Sequence, residues 1–305
     1  MVQPYYGHTN EVIDMTTLDV FLLGRFRVMW NNQPLAGLEN QKVQELLGYL
    51  LINPNQYHHR DKLANILWEE YTCGRKYLRK ALWRLQSVFS EKQELTKLLH
   101  IDREWLSLQT CAGLWTDIAL VENANNLAKY GESGLLSPDK IVLMIQATQL
   151  NRGEFLEGFY AEWCLFERER FRLKQLTLLD SLMHYFESSG KLEAACECGF
   201  DILQIDPARE CTHRRLMRNY YLKGDRTTAL RQYQQCADIL DTELQVEPGI
   251  KTQMLYQQIV HDKQGPPLTP KETLEVNRLS QEMSQLKGIV LNLANQLNEP
   301  VSDYT

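Results

Sequence analysis

Between Leu18 and Leu108 the spacing of apolar residues changes period twice, and few small folds accept that order. Leu18 to Gly24 is an apolar run closed by glycine, and Phe26 to Trp30 is a second run ending at Asn31-Asn32. Two strands joined by an Asn-Asn turn are expected there, with a short third strand over Gln33 to Leu38. From Val43 the step becomes three and four, through Leu46, Leu47, Leu50 and Leu51, which is the period of an amphipathic helix. Asn53-Pro54-Asn55 stops it. Arg60 to Trp68 reads as a second helix, and Arg75 to Ser90, after Gly74, as a third. His100 to Leu108 then alternates around a polar tip, as a β-hairpin does. Strands, three helices and a hairpin make a winged helix-turn-helix, whose third helix enters the DNA major groove.

That third helix carries its own evidence. At about 100° per residue, Leu78, Ala81, Leu82, Leu85, Val88 and Phe89 fall on one side. The other side holds Lys76, Arg79, Lys80, Trp83 and Ser87, flanked by Arg75, Arg84 and Gln86. No acid occurs from Arg75 to Ser90. Solvated helix faces usually mix signs, so a face of one sign points to phosphates. Arg79 and Lys76, in the N-terminal half, are expected to reach base edges, and Arg75, Lys80 and Arg84 to hold the backbone. Trp83 has two open readings: packing on a sugar or thymine methyl, or folding back on the N-terminal strands. Arg103, at the hairpin tip, is expected in the adjacent minor groove.

The body from residue 111 to 263 reads as helical, with an internal period. Gly190 and Ala195 recur 34 residues later as Gly224 and Ala229, and Pro207 follows Ala195 by twelve. A 34-residue period with those small residues is that of tetratricopeptide helix pairs. The charged run Phe166 to Lys174 reads as a solvated helix face. Residues 264–271, with Pro266, Pro267 and Pro270, form a stiff linker. Across 272–298, Val276, Leu279, Met283, Leu286, Val290, Leu293 and Leu297 step alternately by three and four, a heptad seam. Its two readings are a homo-oligomeric coiled coil and a helix docked on its own body; oligomerisation is the expected one. Residues 1–16 form an N-terminal arm. The expected fold is thus mainly α with a small β component: a winged helix over 17–110, a tetratricopeptide-like helical domain and a C-terminal heptad helix.

Charge supports this division. Residues 17–109 hold 13 Lys/Arg against 10 Asp/Glu, while residues 110–305 hold 20 against 27. A basic head on an acidic body orients the head toward a polyanion. The seven cysteines are odd in number and spread along helical sequence, as reduced thiols in a cytoplasmic protein are. Cys196 and Cys198 would diverge by about 200° on a helix and hold no metal together. No apolar run is long enough for a membrane span, and residues 1–14 lack the pattern of a signal peptide. No phosphate-binding loop, zinc motif or nucleophile elbow occurs, so no catalytic role, metal or cofactor is expected.

Several stretches together resemble a known family. In the head they are Leu22-Leu23-Gly24, Leu46 to Leu51, Arg60 to Leu63 with Leu67-Trp68, and Leu78 to Leu85. In the body they are Gly153 to Phe159 with Trp163, Glu167 to Arg170, Asp206-Pro207 with Glu210, His213 to Met217, Gly224 to Arg226, and Val246 to Pro248. The chain from Leu18 to Val260 resembles the SARP-type (antibiotic regulatory protein) bacterial activators, a winged-helix head followed by a bacterial transcriptional activator domain. The resemblance implies binding to double-stranded promoter repeats and activation through contact with RNA polymerase. Gln86-Ser87 stand where the family usually has Arg-Lys, so a different target sequence is expected. The competing reading is a helical-repeat adaptor whose head binds protein rather than DNA.

Overall fold

The computed structural model describes residues 17–69, 73–110, 113–130, 137–150 and 153–262, and seven residues between 278 and 287. The N-terminal arm, the proline linker and Val276, Val290, Leu293 and Leu297 lie outside them. The head opens with β1 (Leu18–Phe21) and β2 (Arg27–Trp30), antiparallel with Leu18 opposite Trp30. Asn31 and Asn32 both take positive φ, 50° and 63°, as a two-residue turn matched to strand twist requires. The third strand, β3, is only Gln33–Pro34, shorter than the sequence suggests. Pro34 has no N–H to continue a ladder, and Gly37 turns the chain at φ +90°.

Helices follow where the period changes. α1 (Gln41–Ile52) starts on Asn40, whose Oδ1 accepts from the amides of Lys42 and Val43. β4 (His58–His59) leads into α2 (Arg60–Leu67), with the His59 ring accepting from the Asp61 amide. α3 (Gly74–Ser90) buries Leu78, Ala81, Leu82, Leu85, Val88 and Phe89, the six residues expected from the wheel. After a 3-10 turn at Gln93–Lys97, β5 (Leu99–Ile101) and β6 (Trp105–Leu108) form the hairpin. β6 also pairs with β4, giving a three-stranded sheet ordered β4-β6-β5. β7 (Leu114–Thr116) then returns to lie parallel with β1, completing a sheet ordered β3-β2-β1-β7.

α4 (Asp117–Tyr130), α5 (Pro138–Leu150), α6 (Glu162–Ser188) and α7 (Leu192–Ile205) complete a first compact unit that ends at Pro207. The turn 153–159 joins head to helices within this unit. Leu156 N donates to Leu22 O at 2.7 Å, Gly24 N to Glu154 O at 2.8 Å, and Leu23 bridges to Phe155. A Cβ on Gly48 would stand 2.8 Å from Leu156 Cδ1, so a larger residue in α1 would push the Leu156 side chain aside where this turn seats. Arg168 locks the turn from α6. Its guanidinium donates to the carbonyls of Phe155 (2.9 Å), Leu156 (2.7 Å) and Phe159 (2.5 Å). The charged run around Arg168 is therefore not simply a solvated face. Glu167 is buried, Arg170 reaches Glu122 at 2.8 Å, and Lys174 joins the same carboxylate. Sequence spacing sees neighbours three and four apart on one helix, and these partners come from α4.

The second compact unit holds α8 (Glu210–Leu222), α9 (Arg226–Leu244) and α10 (Ile250–His261). Its core gathers Met217, Tyr221, Ala229 and Ile259, with Tyr233 stacked on Tyr256 at 4.1 Å. Gly190 and Gly224 both carry positive φ, 69° and 82°, between paired helices, and Ala195 and Ala229 are both fully buried. The 34-residue period thus marks two helix pairs, α6 with α7 and α8 with α9.

Candidate nucleic-acid interface

α3 separates its two chemistries cleanly. With the six apolar residues buried, Arg75, Lys76, Arg79, Lys80, Trp83, Arg84 and Ser87 all stand exposed. The apolar stripe sets this orientation, because burying it turns the remaining arc of the helix outward. Trp83 is 68% exposed, so the indole does not fold back on the strands. Tyr77, 42% exposed, adds a second aromatic ring to the outer arc, which the count of cations passed over.

The cations are not equivalent. Arg75 makes a two-pronged ion pair with Asp61 in the first turn of α2. This pairing fixes the guanidinium and neutralises part of its charge. Nothing in the α3 sequence announces it, since Asp61 lies on another helix. At the other end, Glu39 is held below its usual range by the Gly37 amide and its own, and the charge of Arg84 adds to this. Lys76, Arg79 and Lys80 lie between these two carboxylates along the helix.

Arg103 stands exposed at the β5–β6 tip, between Asp102 and Glu104. Asp102 N donates to Trp105 O at 2.8 Å, closing the turn. The pairing of β6 with β4 ties this hairpin to the strand that leads into α2. Tyr57, just before β4, and Trp105 on β6 are exposed too, each edge-on to a histidine: His100 at 6.0 Å and His59 at 5.2 Å. The sequence pattern did not mark these rings, because exposed aromatic residues on a short strand read like core. Among the described residues no cluster of His, Cys, Asp and Glu is placed to hold a metal ion, and no helix is long and apolar enough to cross a membrane.

The chain is mainly helical, with a β-containing head and helix-pair repeats, and its residues 119–260 match the bacterial transcriptional activator domain. Among solved structures, Mycobacterium tuberculosis EmbR in complex with a low-affinity phosphopeptide is similar in fold. The TM-score is 0.62 at 19% identity, over 88% of this chain and 71% of that one. The C-terminal TPR-containing domain of a putative FK506-binding protein of Plasmodium falciparum is more distant, with TM-score 0.33 and 14% identity over 47% of this chain and 85% of that one. No curated protein matches the sequence significantly.

Proposed function

We propose that this chain is a SARP-type transcriptional activator that acts in the cytoplasm by binding duplex promoter DNA through α3, reading a specific sequence and recruiting RNA polymerase through its helical body. The observation that carries the proposal is the acid-free outer face of α3, exposed along its length and opposite six buried apolar residues. Lys76 and Arg79 read base edges, and Lys80 and Arg84 hold phosphates, since a guanidinium can grip guanine O6 and N7 while either cation neutralises backbone. Ser87 and Trp83 contribute contacts to sugar and backbone, and Arg103 reaches the neighbouring groove from the hairpin. Arg75 organises α2 against α3 through Asp61 and adds less charge to the face.

The seam residues Leu279, Met283 and Leu286 support homo-oligomerisation. They are helical and each is more than half exposed, at 55%, 58% and 61%. A stripe of that kind is what a second helix would cover.

Binding sites selected from randomised duplexes, followed by a salt titration, test the DNA proposal. With about two phosphates neutralised, by Lys80 and Arg84, log K should fall against log salt with a slope near −1.8. Arg79→Ala with Lys80→Ala should bring the slope to about −0.9 and relax the sequence preference. Recovery of no enriched duplex, or affinity that ignores salt, would overturn it in favour of a protein-binding head.

A further inference from the structure

Helix pairs stacked in an array bury their apolar faces against the next pair, so the last helix needs a polar outer face or a cap. α10 is the helix on which the repeats of the second unit end. Its inner face is ordinary: Thr252 and Ile259 are buried, and Leu255 and Tyr256 pack on the core around Met217 and Tyr221. Its outer face is not polar. Ile250 is 73% exposed and Met254, one turn further on, 66%. Leu244, the last residue of α9, and Val246, in the turn to α10, are 56% and 49% exposed. Gln245 makes that turn at φ 57°, so all four side chains lie at the end where α10 begins. Large apolar groups gathered in water at one end of a repeat unit are a cost unless something covers them.

The next helical residues along the chain have the complementary need. Leu279, Met283 and Leu286 are spaced by four and three, the anchor pattern of a helix that seats on an apolar surface. Each is more than half exposed, so this helix is not seated on the α10 of its own chain. Two stripes that one chain leaves open are both closed when two copies exchange them. Seam against seam would cover the heptad stripe and leave the α10 stripe in water. Seam against α10 covers both. A two-fold axis then repeats the contact, because each copy offers its partner the same two surfaces.

We propose that two copies of this chain exchange C-terminal helices, the helix carrying Leu279, Met283 and Leu286 of each copy docking on Leu244, Val246, Ile250 and Met254 of the other. The inference rests on the homo-oligomerisation read from the seam, and it names the surface that receives the seam. It is independent of DNA binding and is tested without it.

Light scattering over a concentration series and photo-crosslinking, both on the full chain, test it. Wild type is expected to run as a dimer. Ile250→Ser with Met254→Ser changes two exposed positions, so the helical signal in circular dichroism should hold while the dimer dissociation constant rises about a hundredfold or more. With p-benzoylphenylalanine in place of Met254, irradiation should give a covalent dimer whose joined peptide comes from residues 272–298. A wild type that is monomeric throughout would overturn the oligomer reading and this inference together. A dimer whose dissociation constant ignores the serine pair would overturn the inference alone and leave the seam pairing with itself. So would a crosslink that stays within one chain or that lands outside residues 272–298.

Discussion

Asp117 offers a direct measurement of how the head is fastened to the helices behind it. This first residue of α4 is fully buried. Its Oδ2 accepts from the amides of Leu22 and Leu23, both at 2.8 Å, and its Oδ1 accepts from Ile118 at 2.8 Å. Burial pushes the carboxyl up from 3.8 to about 6, although the Leu23, Leu22 and Ile118 amides and the charge of Arg27 pull the other way. A raised folded-state pKa means that the folded chain holds its proton more tightly than the unfolded one. Stability from this group is therefore full below the unfolded value and is lost as pH rises through about 6. The loss amounts to about 3 kcal/mol across that window, because each tenfold difference in proton affinity between the folded and unfolded chain is worth about 1.4 kcal/mol. Asp117→Asn cannot ionise. Its amide oxygen can keep the Leu22 and Leu23 donors, while its NH2 faces the Ile118 N–H and gives up that bond, for about 1–2 kcal/mol. Urea unfolding followed by tryptophan fluorescence, from pH 4.5 to 7.5, should show the Asn variant less stable than wild type in acid and equal or better near neutrality. Asp117→Ala should lose about 3 kcal/mol or more at every pH, since three buried amides are left without an acceptor. A wild-type-minus-Asn difference that stays constant over the range would show that Asp117 does not change protonation on folding.

Other perturbations separate the parts. Arg168→Ala should destabilise the first unit by about 2–4 kcal/mol in chemical denaturation, because three turn carbonyls lose a charged donor at once. Trp83→Ala should change stability by less than about 0.5 kcal/mol yet weaken DNA binding, a split that circular dichroism melting and fluorescence anisotropy would expose. Arg75→Ala should cost affinity less than Arg79→Ala at equal salt, because Asp61 already holds its guanidinium. Replacing Leu279, Met283 and Leu286 together with serine should lower the mass seen in light scattering while the helical signal of the body persists; an unchanged mass would remove the seam as the oligomer contact.

Much of the fold was readable because periodicity is local. The six residues that α3 buries follow from a three-and-four spacing, and the Asn31-Asn32 turn from the positive φ that few other residues tolerate. The basic face was readable by the same reasoning, as the complement of the buried one. β7 was not: three residues between Gly113 and Asp117 carry no alternation long enough to register, and their pairing with β1 is distant in sequence. The cavity between α1, α2 and the start of α6 was equally silent, since its lining residues come from segments about a hundred positions apart.

The sequence by itself determined the order of α1, α2 and α3, the apolar face of α3, the 34-residue helix pairs and the single sign of charge on α3. Those properties depend on residues within a turn or two of one another. Tertiary structure decided the rest. It placed Asp61 on Arg75, buried Asp117 beneath amides 94 and 95 positions away, turned an apparently solvated charge run into a clamp on the turn 153–159, and left Trp83 outside. A carboxylate or an indole is the same letter whether it is solvated or enclosed, and only the arrival of a distant segment settles which.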